Sequence, residues 1–190
     1  MKHNASRTWS EIRIIGGKWR GRYIKFPNLP SIRPTPNRVR ETLFNWLQPF
    51  IYHAHCLDLF AGSGALSFEA LSRGAASAVM LDCQKQAINQ IIATIKQLPA
   101  DNAQVYLAEL PHHLPAFAHK FDIVFLDPPF GQGLVAPCCE LLQQKHLLNP
   151  HALVYIETET VLHPLPVPTT WELLRSKTAG EVSYHLLRAT

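Results

Sequence analysis

Cysteine is scarce in this chain, and the four that occur (Cys56, Cys83, Cys138 and Cys139) show no Cys-x-x-Cys spacing. That argues against a disulfide scaffold or a zinc-thiolate framework and for reduced thiols. No apolar run approaches the roughly 20 residues that a membrane helix requires. The first twenty residues are polar and broken by charge, so no secretory leader is expected and a cytoplasmic location is. Ten histidines are present, but neither His53-x-His55 nor His112-His113 has an acid or cysteine at ligand spacing, so no metal is expected. Acid is almost missing from residues 1–40, where ten Lys/Arg face Glu11 alone, a balance of +9. Residues 41–190 carry eight Lys/Arg against thirteen acids, −5, which brings the whole chain to +4. A basic arm on a mildly acidic body suits a protein that meets a polyanion with one face. The rest is ordinary globular composition, 47% hydrophobic and 17% charged over 190 residues, enough for one core and a small extension.

The arm reads as a folded piece. In EIRIIGGKWRGRYIKF, residues 11–26, apolar and basic residues alternate and Gly16-Gly17 supplies a turn, which predicts a β-hairpin. Strand alternation would put Lys18, Arg20 and Arg22 on one face, with Trp19 and Tyr23 on the other. Thr35 is then placed as N-cap and Pro36 as the first residue of a helix. Val39, Leu43, Trp46, Leu47 and Phe50 fall on one face of that helix, and Pro49 marks its end. Arg38 and Arg40 stand near the helix start, where the dipole disfavours cations, so an anionic partner is expected: RNA phosphate or Asp127. Residues 1–50 are thus assigned to a basic, RNA-binding extension.

From residue 55 strands and helices alternate: CLDLF, a helix ending near Arg73-Gly74, SAVMLD, then a helix from about Gln84 to Leu98 with Ile88, Ile91, Ile92 and Ile95 turned inward. AQVYLA, FDIVFL, a helix from about Leu134 to Lys145, ALVYIET and two strands joined at Ala179-Gly180 complete the series. This predicts an α/β, Rossmann-like domain over residues 51–190, a mostly parallel seven-stranded sheet with an antiparallel last strand.

In such a sheet ligands bind outside the C-terminal strand ends, and three candidate elements fall there. DLFAGSG, Asp58 to Gly64, offers Gly62 and Gly64 for a tight loop close to a ligand. Asp82 ends the next strand, where an acid can accept hydrogen bonds from ribose hydroxyls. A glycine loop with an acid some twenty residues on also describes a nicotinamide site. However, Ser67 stands where the third glycine would be, and Asp58 would repel a pyrophosphate while attracting a cation. S-adenosylmethionine carries an amino group and a sulfonium and has no phosphate, so it is the expected cofactor.

The third element is the Asp127-Pro128-Pro129-Phe130 corner after FDIVFL. Two prolines remove two donors and fix two φ angles, which makes the corner stiff. Class-I methyltransferases acting on exocyclic amines of bases carry an Asp- or Asn-Pro-Pro-aromatic corner at this strand end. Asp127 and the Pro128 carbonyl could each accept one amine N–H, while Phe130 stacks on a base taken out of its helix. Guanine N2, adenine N6 and cytosine N4 present similar amines, so the motif leaves the base open. A DNA adenine-N6 methyltransferase is one alternative, although 190 residues leave no room for a separate recognition domain. A non-catalytic RNA-binding assembly factor is another, against which the pairing of DLFAGSG with DPPF argues.

RIIGGKWRGR, RPTPNRVRETLFNWL, CLDLFAGSGALSFEALSRGA, DIVFLDPPF and VPTTWELLRSKTAGEVSYHLLR together resemble the RsmD family of 16S ribosomal RNA guanine-N2 methyltransferases, over about Glu11 to Arg188. The resemblance implies methylation of one guanine of the small (30S) subunit, with the basic arm (Arg13, Lys18, Arg20, Arg22, Arg33, Arg38 and Arg40) gripping RNA. It also implies that Asp58, Phe60, Gly62 and Gly64 contact the methionine part of the cofactor, that Asp82 holds the ribose and that Glu109 meets the adenine amine. Glu109 stands where relatives more often have Asp or Asn followed by Ala, and Gln84 where they often carry another acid. A monomer is expected.

Overall fold

The computed structural model describes residues 9–27 and 35–190, so the RNA contact expected of Arg33 lies outside the described residues. A two-stranded sheet, β1 (Trp9–Arg13) and β2 (Tyr23–Pro27), precedes helix α1 (Asn37–Leu47). There follow β3 (His55–Asp58), α2 (Ala65–Ser72), β4 (Ser77–Asp82), α3 (Lys85–Gln97), β5 (Ala103–Leu107), β6 (Phe121–Leu126), α4 (Val135–Gln144), β7 (Leu148–Glu159), β8 (Glu172–Ala179) and β9 (Val182–Arg188). The large sheet runs β5-β4-β3-β6-β7-β9-β8. Pairings from β5 through β7 are parallel, and β9 is antiparallel to both β7 and β8, as the alternating pattern and the tight Ala179-Gly180 link require.

Strand alternation sorts the sheet's side chains into two cores. Cys56, Met80, Ile123, Phe125 and Tyr155 face a layer built by the hairpin, α1, α2 and α3. Leu57, Val79, Val124, Leu126 and Ile156 face α4 and the segments around Leu114, Phe117 and Leu162. Strands apolar on both faces are what a parallel sheet covered on both sides demands. The chain leaves β3 outward through β4 and β5, then returns to the other side of β3 as β6. The switch point therefore lies between the C-terminal ends of β3 and β6, which is where a crevice opens in doubly wound sheets.

The hairpin pairs as expected, Ile12 opposite Ile24 and Arg13 opposite Tyr23. Gly16-Gly17 does not close it. The connection from Ile14 to Arg22 contains a 3-10 turn over Gly17–Trp19 and lies against the C-terminal turn of α2. Gly17 has φ 74°, and a Cβ there would sit 1.8 Å from the Ser72 carbonyl oxygen, so only glycine fits. The 3-10 turn also breaks the two-residue period. Trp19 is buried, whereas Tyr23 points outward and is 51% exposed, so the expected pairing of these two aromatics on one face does not occur.

Two further expectations are corrected. Thr35 does not cap α1; Pro36 is the residue before its first turn, and the Thr35 hydroxyl is engaged elsewhere. In α3 the inward face is Ala87, Ile88, Ile91 and Thr94, while Ile92 is 38% exposed. Among the described residues no helix is long and apolar enough to cross a membrane.

Candidate active site

The loop after β3 is held from both ends. Leu59 N–H donates to the Phe125 carbonyl at 3.0 Å and Ala61 N–H to the Leu81 carbonyl at 2.8 Å, stitching the loop to both neighbouring strands. Gly62 and Gly64 have φ 52° and 76°. At Gly64 a Cβ would approach the Phe68 ring to 2.7 Å, so helix and loop meet where a side chain cannot fit. Asp82 accepts the Gly62 N–H on Oδ2 and the Gln84 N–H on Oδ1, both at 2.8 Å. Asp82 therefore shapes the glycine loop itself, and each oxygen keeps a second lone pair for a ligand. Its half-buried carboxyl is raised above the usual range by loss of solvent, against those two hydrogen bonds.

Asp58 is 2% exposed, and its Oδ2 accepts the Ser67 hydroxyl at 2.8 Å. Burial pushes its carboxyl up to about 7; the Ser67 and Phe60 hydrogen bonds oppose that rise and nearby Asp82 adds to it. Phe60 is half-buried against the β4–β6 core. Glu109 is exposed just beyond the end of β5, between buried Ala108 and Leu110.

The Asp127–Phe130 corner follows β6 directly. Pro128 is buried and Phe130 is 40% exposed, its ring free to be covered by a ligand. Beside it a cavity of about 70 Å³ is walled by Pro128, Phe130, Gly133, Leu162 and Pro166. Glu159 holds the corner from β7 by accepting the Gly131 N–H at 2.5 Å. Next to Asp127 stands Glu157, 3% exposed, which motif reading misses. The Thr35 hydroxyl lies 2.9 Å from Glu157 Oε1 and 3.5 Å from Asp127 Oδ2, and Tyr155 donates to the same Oε1 at 2.9 Å. Loss of solvent, then the field of Glu157 and of Asp58, holds the Asp127 carboxyl well above its ordinary range. The one signal for Glu157 is an acid inside the otherwise apolar run of β7.

None of the ion pairs among the described residues involves Asp58, Asp82, Asp127 or Glu157. Acids gathered at the switch point without a basic partner fit a cationic ligand and disfavour a phosphate. A larger concavity of about 320 Å³ opens at the opposite, N-terminal edge, lined by Tyr52, His53, Asp122 and His151. It has neither the glycine loop nor the convergent acids, so the strand-end crevice is the candidate site.

The basic residues divide. Arg13, Lys18, Arg20, Arg22 and Arg38 are exposed. Lys18 lies over the Trp19 ring at 4.4 Å, and Arg22 reaches the Gln97 carbonyl at the end of α3 at 3.5 Å. Arg40 is a correction, because its side chain is fully buried and cannot touch RNA. Its anion is neither RNA nor Asp127 but Glu69, at 3.6 Å, and it also donates to the Arg13 carbonyl and to Asn37. Glu69 further accepts the Ile15 and Gly16 N–H groups, each at 2.8 Å, and Arg73 Nε at 2.7 Å.

The strand order, the switch-point glycine loop and the acids at three strand ends define a Rossmann-like, class-I methyltransferase fold. The family model described as Conserved hypothetical protein 95 matches residues 12–188, and the chain belongs to that family, the RsmD family of the motif resemblance. Ribosomal RNA small subunit methyltransferase D of Escherichia coli (strain K12) is 48% identical over 177 residues, 93% of this chain and 89% of that one. The protein of the same name from Haemophilus influenzae is 44% identical, covering 93% of each. The solved structure of yhhF from Escherichia coli superposes with a TM-score of 0.84 at 46% identity, over 94% of this chain and 98% of that one. SMU.776, solved in complex with SAH, has a TM-score of 0.70 at 14% identity, over all of this chain and 58% of that one; that likeness is one of fold.

Proposed function

We propose that this protein transfers a methyl group from S-adenosylmethionine to the exocyclic N2 amine of a guanine in 16S ribosomal RNA of the small subunit, acting as a cytoplasmic monomer. The observation that carries the reading is the rigid Asp127-Pro128-Pro129-Phe130 corner one strand from the glycine loop, with Asp58 and Phe125 register partners on paired β3 and β6. Small-subunit ribosomal RNA enters through the name shared by relatives 44–48% identical. When bound, the cofactor supplies an electrophilic methyl group on a cationic sulfur.

The chain's own residues do the rest. Asp58, Phe60, Gly62 and Gly64 receive the methionine part, and the uncompensated charge of Asp58 favours a cation there. Asp82 accepts from the ribose, and Glu109 accepts from the adenine amine, a role that its exposure beyond β5 leaves open to it. An aromatic amine is a weak nucleophile because its lone pair is delocalised into the ring. Asp127 and the Pro128 carbonyl hold its N–H groups so that the lone pair faces the methyl, and Phe130 stacks on the base. Arg13, Lys18, Arg20, Arg22 and Arg38 contact phosphates.

Two measurements test this. Methylated nucleotides mapped in ribosomal RNA from cells lacking the gene should show one N2-methylguanine missing, restored by the wild-type protein; an unchanged map removes the proposal. Asp127→Ala should bind S-adenosylmethionine normally yet lose turnover by on the order of 10² to 10⁴, the usual effect of losing a positioning or proton-handling group. Near-normal turnover would show that the corner is not the amine site.

A further inference from the structure

Two acids share one neighbourhood at the corner, half-buried Asp127 and buried Glu157, and only Asp127 has a task in the proposed reaction. Glu157 cannot meet the base, being 3% exposed. It is nonetheless held with care. Tyr155 and Thr35 both direct hydroxyls at Oε1, each at 2.9 Å. Thr35 comes from the segment leading into α1, a position 122 residues away in sequence. Its reach to Asp127 Oδ2, at 3.5 Å, is a contact at the limit of a hydrogen bond, so the single hydroxyl proton belongs to Glu157. A buried acid costs free energy unless it is paired or useful, and here the pairing is with another acid.

We infer that Glu157 is a positioning residue of the methyl-transfer centre: fixed by Tyr155 and Thr35 beside Asp127, it keeps Asp127 basic enough to take the proton that the amine sheds. This rests on the proposed reading of the corner. In the step, the amine nitrogen gains the methyl as the sulfur–carbon bond breaks, leaving a neutral thioether, and one amine proton passes to the Asp127 carboxylate. An exposed aspartate is a poor acceptor at neutral pH, and acid–base efficiency is best when the group titrates near the working pH. A second carboxylate in a dry site makes charge on the first costlier and so raises its basicity. The groups facing the pair are Asp58 from β3, Tyr155 on β7 and, next to Tyr155, Tyr184 on β9, which stands opposite Glu157. Asp58 adds to the negative field at Asp127, while Tyr155 remains a neutral phenol that steadies charged Glu157 by donating to its Oε1.

The test uses two substitutions that weaken the field of Glu157 on Asp127 by different routes. Glu157→Gln keeps the shape and an acceptor for Tyr155 and Thr35 but removes the charge. The carboxyl titration of Asp127, followed by NMR in the cofactor-free protein, should then move down by about one pH unit or more. The acidic limb of the kcat–pH profile on small subunits should move with it, and the plateau should fall by about tenfold while KM for RNA and S-adenosylmethionine holds. Thr35→Val removes a donor that stabilises charged Glu157, so Glu157 keeps its proton to higher pH and its field on Asp127 weakens. Limb and midpoint should then move down as well, by less than in Glu157→Gln; Thr35→Ser should restore both. A structural role alone would lower thermal stability and leave both readings in place. An unmoved Asp127 midpoint in Glu157→Gln overturns the inference, and if that variant does not fold, an unmoved midpoint in Thr35→Val does so. A wild type that methylates no subunit RNA overturns the proposed function instead, whatever the titration gives.

Discussion

A buried carboxylate at the end of β3 costs the fold free energy, and Asp58 bears that cost where a cationic ligand would relieve it. Its folded-state carboxyl titrates near 7 against 3.8 for the free group. The folded protein thus binds the proton more tightly than the unfolded chain does. Asp58's contribution to stability is fully present below about pH 3.8 and is lost as pH rises through about 7. Asp58→Asn keeps an acceptor for Ser67 without the charge. Urea denaturation should therefore show the variant more stable than wild type at pH 8 by on the order of 1 kcal/mol or more, with the gain gone at pH 4. Calorimetry should show the opposite for S-adenosylmethionine, whose affinity should fall in the variant. For wild type that affinity should weaken as pH drops through about 7. A variant no more stable at pH 8 would mean that water or a neighbour already relieves the charge.

Among the elements, α2 fastens the hairpin to the sheet. It begins at the glycine loop, and from its middle Glu69 takes the Ile15 and Gly16 amides, 54 and 53 positions away. Glu69→Gln would leave Arg40 buried and uncompensated, an arrangement that typically costs 3–5 kcal/mol. A lower urea midpoint at unchanged slope would record it, and a loss under about 1 kcal/mol would show the pair to be dispensable. The same distances explain what the sequence disclosed. The alternation of strands and helices was legible because period and length are local properties, and so was the placement of the candidate site, since DLFAGSG, Asp82 and DPPF each lie on one strand end. What escaped was set by distant partners. Gly16-Gly17 looked like a turn because Ser72 could not be seen beneath it. Thr35 looked like a cap because Glu157 was 122 positions off, and Arg40 looked like an RNA-binding residue because nothing local reveals burial.

At the scale of the whole molecule the charge is lopsided, +9 over residues 1–40 and −5 over the rest. Cations that neutralise phosphates release counterions, so affinity for RNA should fall steeply with salt. Lys18 and Arg20 flank Trp19 at the 3-10 turn and Arg22 follows; all three are exposed. Replacing the three by Ala should reduce the slope of log affinity against log salt by roughly 0.7 to 0.9 for each phosphate no longer neutralised. S-adenosylmethionine binding should be unchanged. Superimposable salt lines for wild type and variant would mean that this end of the hairpin does not hold RNA. Point substitutions suit that question because the arm is not a detachable module. A chain shorn of residues 1–27 would strip Glu69 of two backbone donors and Arg40 of the Arg13 carbonyl, exposing the α1, α2 and α3 faces that the hairpin covers. What remained would be an unstable body rather than a methyltransferase without its grip. Grafting this arm onto another Rossmann-like body would therefore mean transplanting α1 and α2 along with it.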